Sequence, residues 1–177
     1  FVDAIVFKNY DGKSFSNSLQ IEFNMEPIKR LEVRLAYKFL DVRAEYGGEL
    51  QQKVMVPKHR GFINVAYQTR NKKWDFDWTL SVFGKSRLPI NRLSDGGFTT
   101  DNWSKVYPMM SAQVTYKLKK WEIYVGGENL TNYRQTDPIM DVNNPFGSNF
   151  DATRVWGPVM GTNVYVGFRF KISHDHD

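Results

Sequence analysis

The alternation of side chains along this chain is the feature that most restricts its fold. Leu19, Ile21, Phe23 and Met25 alternate with Gln20, Glu22, Asn24 and Glu26 until Pro27 ends the run. Leu31, Val33, Leu35, Tyr37 and Phe39 alternate with Glu32, Arg34, Ala36 and Lys38. The pattern returns at Ile63–Val65–Tyr67, at Trp74–Phe76–Trp78–Leu80–Val82 and at Met110–Ala112–Val114–Tyr116–Leu118. It returns again at Trp121–Ile123–Val125 and at Val164–Val166–Phe168–Phe170–Ile172. A period of two puts successive side chains on opposite faces of a strand. With a weaker run over 1–9, the alternation predicts about eight strands and an all-β, antiparallel fold. No segment has a convincing helical period.

Composition narrows the class. With 41% hydrophobic and 15% aromatic residues in 177, the chain is too apolar to be disordered, and it suits one domain or a piece of a larger one. Mean hydropathy is −0.50 and no run of about 18 apolar residues occurs, which excludes a transmembrane helix. It leaves a membrane barrel open, because there only alternate residues meet lipid. A net charge of +5 suits nucleic acid, an anionic membrane surface or neither. The absence of cysteine removes disulfides and thiolate metal sites. The opening "FVDAIVFKNY" has neither a signal-peptide layout nor an initiator Met, so a signal, if used, is expected upstream, and the chain is expected to be part of something longer.

Alternation alone fits two opposite solids: a soluble sandwich or barrel with polar residues outward, or a membrane barrel with apolar residues outward. The connections discriminate. "EPIKR", "TRNKKW" and "LKKW" are short, whereas 41–59, 84–106 and 130–160 are long, and the two kinds alternate. Membrane barrels segregate short turns to one rim and long loops to the other. Tyr67, Trp74, Tyr116 and Trp121 lie beside the short turns on the apolar face, as an aromatic girdle would. Lys29, Arg30, Arg70, Lys72, Lys73, Lys119 and Lys120 make those turns basic, as anionic headgroups would favour. Each feature alone also fits solvated hairpins; their shared polarity favours the membrane barrel.

The last third, "YVGGENLTNYRQTDPIMDVNNPFGSNFDATRVWGPVMGTNVYVGFRFKI", resembles the C-terminal end of TonB-dependent outer-membrane receptors, particularly those of Bacteroidetes-type bacteria. "ENLTNY" is similar to the family's penultimate-strand motif, with Tyr133 one place early, and "VMVPKHRGFINVAY" is similar to the entry into an earlier barrel strand. The resemblance covers essentially the whole chain but a minority of a receptor. It implies residues 1–172 as about eight strands of a 22-stranded, plugged barrel in the bacterial outer membrane, followed by a polar tail at 173–177. It implies active uptake of a scarce nutrient: siderophore-bound iron, haem, cobalamin or a glycan. The implied partners are outer-membrane lipid, the remaining strands and plug of the same receptor, the TonB complex through that plug, the barrel-assembly machinery and the nutrient ligand. The first strand is then expected to pair upstream, and the last with the receptor's first strand.

Candidate functional residues fall into three sets. Tyr165, Gly167, Phe170 and Ile172 resemble the C-terminal signal read by the assembly machinery; any amphipathic terminal strand is the bland alternative. Trp74, Phe76, Trp121 and Phe168 are the expected lipid-facing residues. Arg92, Trp103, Tyr133, Arg154 and Trp156 combine charge and aromatic surface in the long loops and are the candidate ligand contacts, set against simple loop packing. No catalytic residue, metal site or cofactor is expected: the three histidines form no triad, and His174 and His176 belong to a polar terminus. The apolar stripe through Trp74, Phe76 and Trp78 is unlike the basic, aromatic groove of a nucleic-acid binder. Two alternatives stay open: a small passive or structural eight-stranded membrane barrel, and a soluble lipocalin-like lipid-binding barrel.

Overall fold

In the computed structural model, residues 11–91, 97–100 and 102–172 are described. They form β1 (Ser14–Ile28), β2 (Leu31–Tyr46), β3 (Glu49–Gln52), β4 (His59–Gln68), β5 (Trp74–Phe83), β6 (Tyr107–Lys117), β7 (Trp121–Glu128) and β8 (Asn163–Phe170). All pair antiparallel in one sheet of order β1-β2-β4-β5-β6-β7-β8, with β3 folded back on the end of β2. There is no helix among the described residues. β1 and β8 end the path, and no ladder joins them among those residues.

The eight strands differ in membership from the eight expected. The 1–9 run lies outside the described residues, and β3 occupies part of the 41–59 connection. β1 and β2 also run longer than their alternation indicates. The reason is a change of phase on β2. Leu31 to Phe39 keep the apolar side, but beyond them Asp41, Arg43 and Glu45 take that side, while Leu40, Val42, Ala44 and Tyr46 take the other. Backbone pairing continues past Phe39 without interruption, so the strand outlasts the pattern that reveals it.

The register assembles one continuous apolar face. Tyr37, Gly61, Val82 and Pro108 form one row across β2, β4, β5 and β6; Val33, Val65, Trp78, Ala112 and Gly127 form another. On β2 and β4 the row from Leu31–Tyr67 to Phe39–His59 spans nine residues, the length of a strand that crosses a bilayer. No second layer covers this face among the described residues. Leu88 is the one buried hydrophobic side chain there, at 2% exposure, whereas Phe23, Val166 and Phe168 stand largely exposed. Soluble monomers rarely leave a contiguous apolar face of this kind exposed.

The opposite face is polar and satisfied laterally. Arg34 Nε meets Glu22 Oε1 at 2.8 Å, Lys117 pairs with Asp75, and Gln68 Nε2 donates to the same Asp75 at 2.9 Å. Asn64 Nδ2 donates to Asp77 Oδ1 at 3.2 Å and to Thr79 Oγ1 at 2.9 Å. Asp75 and Asp77 are thus held by neighbours, as a polar wall requires. The short turns 29–30, 69–73 and 118–120 lie at one end, and the three long connections at the other. Beside the short turns Trp74 packs on Tyr116 at 4.5 Å between ring centres, and Trp121 on Phe170 at 4.6 Å.

Candidate functional site

At the long-loop end of the polar face, four aromatic rings form a shelf. Phe83 ends β5 and Tyr107 begins β6, and the register sets them side by side, with ring centres 4.9 Å apart and planes 11° from parallel. Tyr133 stacks on Tyr107 at 5.2 Å, and Trp156 lies at 5.6 Å from Tyr107. Tyr107 Oη donates to the Trp156 carbonyl at 3.3 Å. The Arg60 guanidinium lies 4.9 Å over Phe83, a cation–π distance. Burial raises the Tyr133 phenol above its ordinary value, so it stays a neutral donor.

The shelf depends on how the 129–162 connection is folded. Asn129 is only 5% exposed. Its Nδ2 donates to the Tyr133 carbonyl at 2.8 Å and to the Met160 carbonyl at 2.9 Å. Its Oδ1 accepts from Thr131 Oγ1 at 3.0 Å and from the Tyr133 amide at 3.1 Å. Both ends of the connection are thereby tied to one side chain. Asn129 and Asn132 have φ of 48° and 49°, a left-handed conformation that asparagine tolerates. Gln135 makes the second tie: Nε2 donates to the Arg154 carbonyl at 3.0 Å, and Oε1 accepts from the Trp156 amide at 2.8 Å. The residues of "ENLTNY" therefore organise the loop that carries Tyr133 and Trp156.

Tyr133, Arg154 and Trp156 line one recess of about 550 Å³, together with Lys105, Gln135 and Asp137. Of the five loop residues expected to meet a ligand, these three come together. Trp103 lies elsewhere, in a groove with Tyr37 and His59, and Arg92 falls outside the described residues. Phe83, Tyr107 and Arg60 were not anticipated. The signal for the two aromatics was available: each carries a ring at a position whose phase is otherwise polar.

The final hairpin places the proposed assembly residues. Tyr165 and Gly167 fall on the polar face, and Phe168 and Phe170 on the apolar face. Tyr124 lies over Gly167 and Tyr165 over Gly126; a methyl group on Gly126 would meet the Tyr165 ring at 2.5 Å. Tyr165 Oη also donates to Gln113 Oε1 at 3.1 Å. Glu122, 5% exposed, accepts from Arg169 Nη1 at 2.8 Å and from Lys171. No group of three or more metal-ligating side chains gathers among the described residues, and His174 and His176 lie outside them.

The sheet, its segregated connections and its two unlike faces have the fold of a β-barrel segment, as found in TonB-dependent receptors. Two solved structures make the likeness particular. A mutant of the ferric enterobactin receptor PfeA from Pseudomonas aeruginosa, in complex with enterobactin, matches with a TM-score of 0.62 at 13% identity, over 89% of this chain and 22% of that one. The FrpB iron transporter from Neisseria meningitidis matches with a TM-score of 0.61 at 12% identity, over 90% of this chain and 24% of that one. The chain thus spans about a quarter of the length of each. No protein-family model matches the chain, and no curated protein does.

Proposed function

We propose that this chain is part of the barrel of an outer-membrane receptor that takes up a scarce nutrient actively, energised by the inner-membrane TonB complex. The supporting observation is an eight-stranded sheet with one uncovered apolar face and one self-satisfied polar face, superposable on receptor barrels. Trp74, Phe76, Trp121 and Phe168 then face lipid, and Glu122, Tyr124 and Arg169 face the lumen. Among the described residues one side of β1 and one side of β8 carry no ladder, and the barrel is completed by further strands, because an open edge in hydrocarbon leaves each backbone group several kcal/mol unsatisfied. Tyr165, Gly167, Phe170 and Ile172 serve recognition by the assembly machinery. The Bacteroidetes-type affinity rests on the sequence resemblance of the last third. The protein acts as a transporter, not an enzyme.

The ligand reading centres on the aromatic shelf. Stacked rings flanked by three cations, Arg60, Lys105 and Arg154, against one acid, Asp137, suit an anion with aromatic surface, such as an aromatic iron chelate, better than a neutral solute. The test is uptake of radiolabelled ferric chelates by iron-starved cells carrying or lacking the gene, with and without a protonophore. Uptake that needs both the gene and the proton gradient supports the proposal; indifference to either overturns it. Spin labels at Ile21, Phe76 and Phe168 report the orientation, since lipid-soluble quenchers must reach all three better than aqueous ones.

A further inference from the structure

We propose a binding site for a phosphate-bearing membrane lipid on the apolar face, at its long-loop edge. The site rests on the membrane orientation proposed above. A groove of about 700 Å³ opens there, lined by Tyr37, His59, Gly61, Val82 and Trp103. It exists because the sequence interrupts a row of large side chains. Tyr37 and Val82 flank Gly61 in register, so β4 contributes no side chain where its neighbours contribute a ring and an isopropyl group. A side chain built on Gly61 would first meet Val82, at 4.0 Å, so the notch is open at that position.

The groove's upper lip is basic. Lys58 and Lys85 line it, and the Lys58 ammonium sits 5.4 Å over the Phe39 ring. No aspartate or glutamate lines the groove, and neither lysine pairs with a carboxylate among the described residues. Here two positive charges stand over an apolar trough with no acidic side chain in its lining. Tyr37 Oη and His59 Nδ1 share a hydrogen bond of 2.7 Å between trough and lip, adding a polar step at interfacial depth. Trp103, 46% exposed on the flank, is the amphipathic ring that favours the same level.

The occupant follows from location and charge. A surface that faces hydrocarbon below and headgroups above is reached by lipid. An acyl chain fits the Gly61 notch, and the paired lysines above it call for an anionic headgroup, of which phosphate is the strongest acceptor available in a lipid. Arg60 also lines the groove, but its guanidinium lies 4.9 Å over the Phe83 ring, so the lysines are the groove's uncommitted cations.

The experiment uses the full-length protein in nanodiscs of zwitterionic phospholipid doped with a diphosphorylated glycolipid, or with the same glycolipid stripped of phosphate. Native mass spectrometry counts the glycolipid retained. The wild type is expected to retain the phosphorylated form and release the dephosphorylated one. The Lys58→Gln/Lys85→Gln variant should lose affinity for the phosphorylated form roughly thirtyfold, two basic residues each contributing as at an anionic surface. Gly61→Leu, which fills the notch and alters no charge, should lower retention as well. Lys38→Gln, on the polar face of β2, should leave it unchanged. Equal retention by wild type and Lys58→Gln/Lys85→Gln, or an equal fall in Lys38→Gln, overturns the site while the protein still inserts. Failure of the wild type to insert overturns the membrane orientation and the site together.

Discussion

An arginine ladder on β8 tests the membrane reading by depth. Phe170 stands opposite Trp121 in the aromatic girdle, Phe168 opposite Ile123 one step further in, and Val166 opposite Val125 beyond that. A strand rises about 3.3 Å per residue and barrel strands tilt by about 40°, so each step of two residues climbs about 5 Å through an apolar band some 25 Å tall. Phe170 then lies at the interface, Phe168 about 5 Å in and Val166 about 10 Å in, near the midplane. An arginine on the lipid face costs about 2–4 kcal/mol at the midplane and about 0–1 kcal/mol at the interface. The expected order of destabilisation is therefore Val166→Arg, then Phe168→Arg, then Phe170→Arg. Phe168 is 69% exposed and touches Trp121 at 5.8 Å between ring centres, so the alanine variant at each site corrects for lost packing. The polar-face control is Lys171→Ala, which leaves Glu122 its bond to Arg169 and should change little. Denaturant titrations of the full-length protein in bilayers, with gel heat-modifiability as the folding readout, give the differences. Arginine costs that are flat with depth, or no larger than that of Lys171→Ala, would refute the assignment of this face to lipid.

Three further outcomes follow from side chains already placed. Asn129→Ala removes hydrogen bonds to both ends of the 129–162 connection at a net cost of about 1–3 kcal/mol; protease nicking of that loop should rise while the barrel stays heat-resistant. Gly126→Ala drives a methyl group into Tyr165 at a cost of about 1–3 kcal/mol, and a double-mutant cycle with Tyr165→Ala should recover most of it; additive losses would contradict the contact. Trp156→Ala should weaken ligand binding roughly tenfold or more, as loss of a stacking ring at a binding site does, with thermal stability of the barrel unchanged; an intact affinity would remove the shelf from the ligand site.

Where the strands lie was legible because one solvent boundary per face writes the period into the residues. From Leu31 to Phe39 each side chain has a fixed environment and the sequence declares it. Past Phe39 both faces meet comparable surroundings, the pattern reverses, and backbone pairing alone carries β2 to Tyr46 and supports β3. The site was legible in part for the same reason. Tyr133, Arg154 and Trp156 announce themselves as aromatic and basic residues in a polar loop. Their convergence does not, because Asn129 and Gln135 fold that loop through bonds to distant carbonyls that leave no local period. Trp103 has the same composition and a different destination, decided by the bridge between its backbone and Arg87.

The tyrosines and glycines of the last hairpin act as a key cut into both strands. In the observed pairing Tyr124 meets Gly167 and Gly126 meets Tyr165. Slide β8 two residues one way and Tyr124 faces Tyr165 while Gly126 faces Asn163, so neither ring keeps a glycine to lie over; slide it the other way and the glycines face each other over a void, with Tyr124 against Arg169. Sliding by two keeps every apolar residue on its own side, so hydrophobicity alone cannot forbid it. The key does, and its bits lie within 44 residues of one another, from Tyr124 to Gly167 inclusive. This hairpin thus carries its own alignment, and a chain that must pass it to other machinery can hand over an edge already in step.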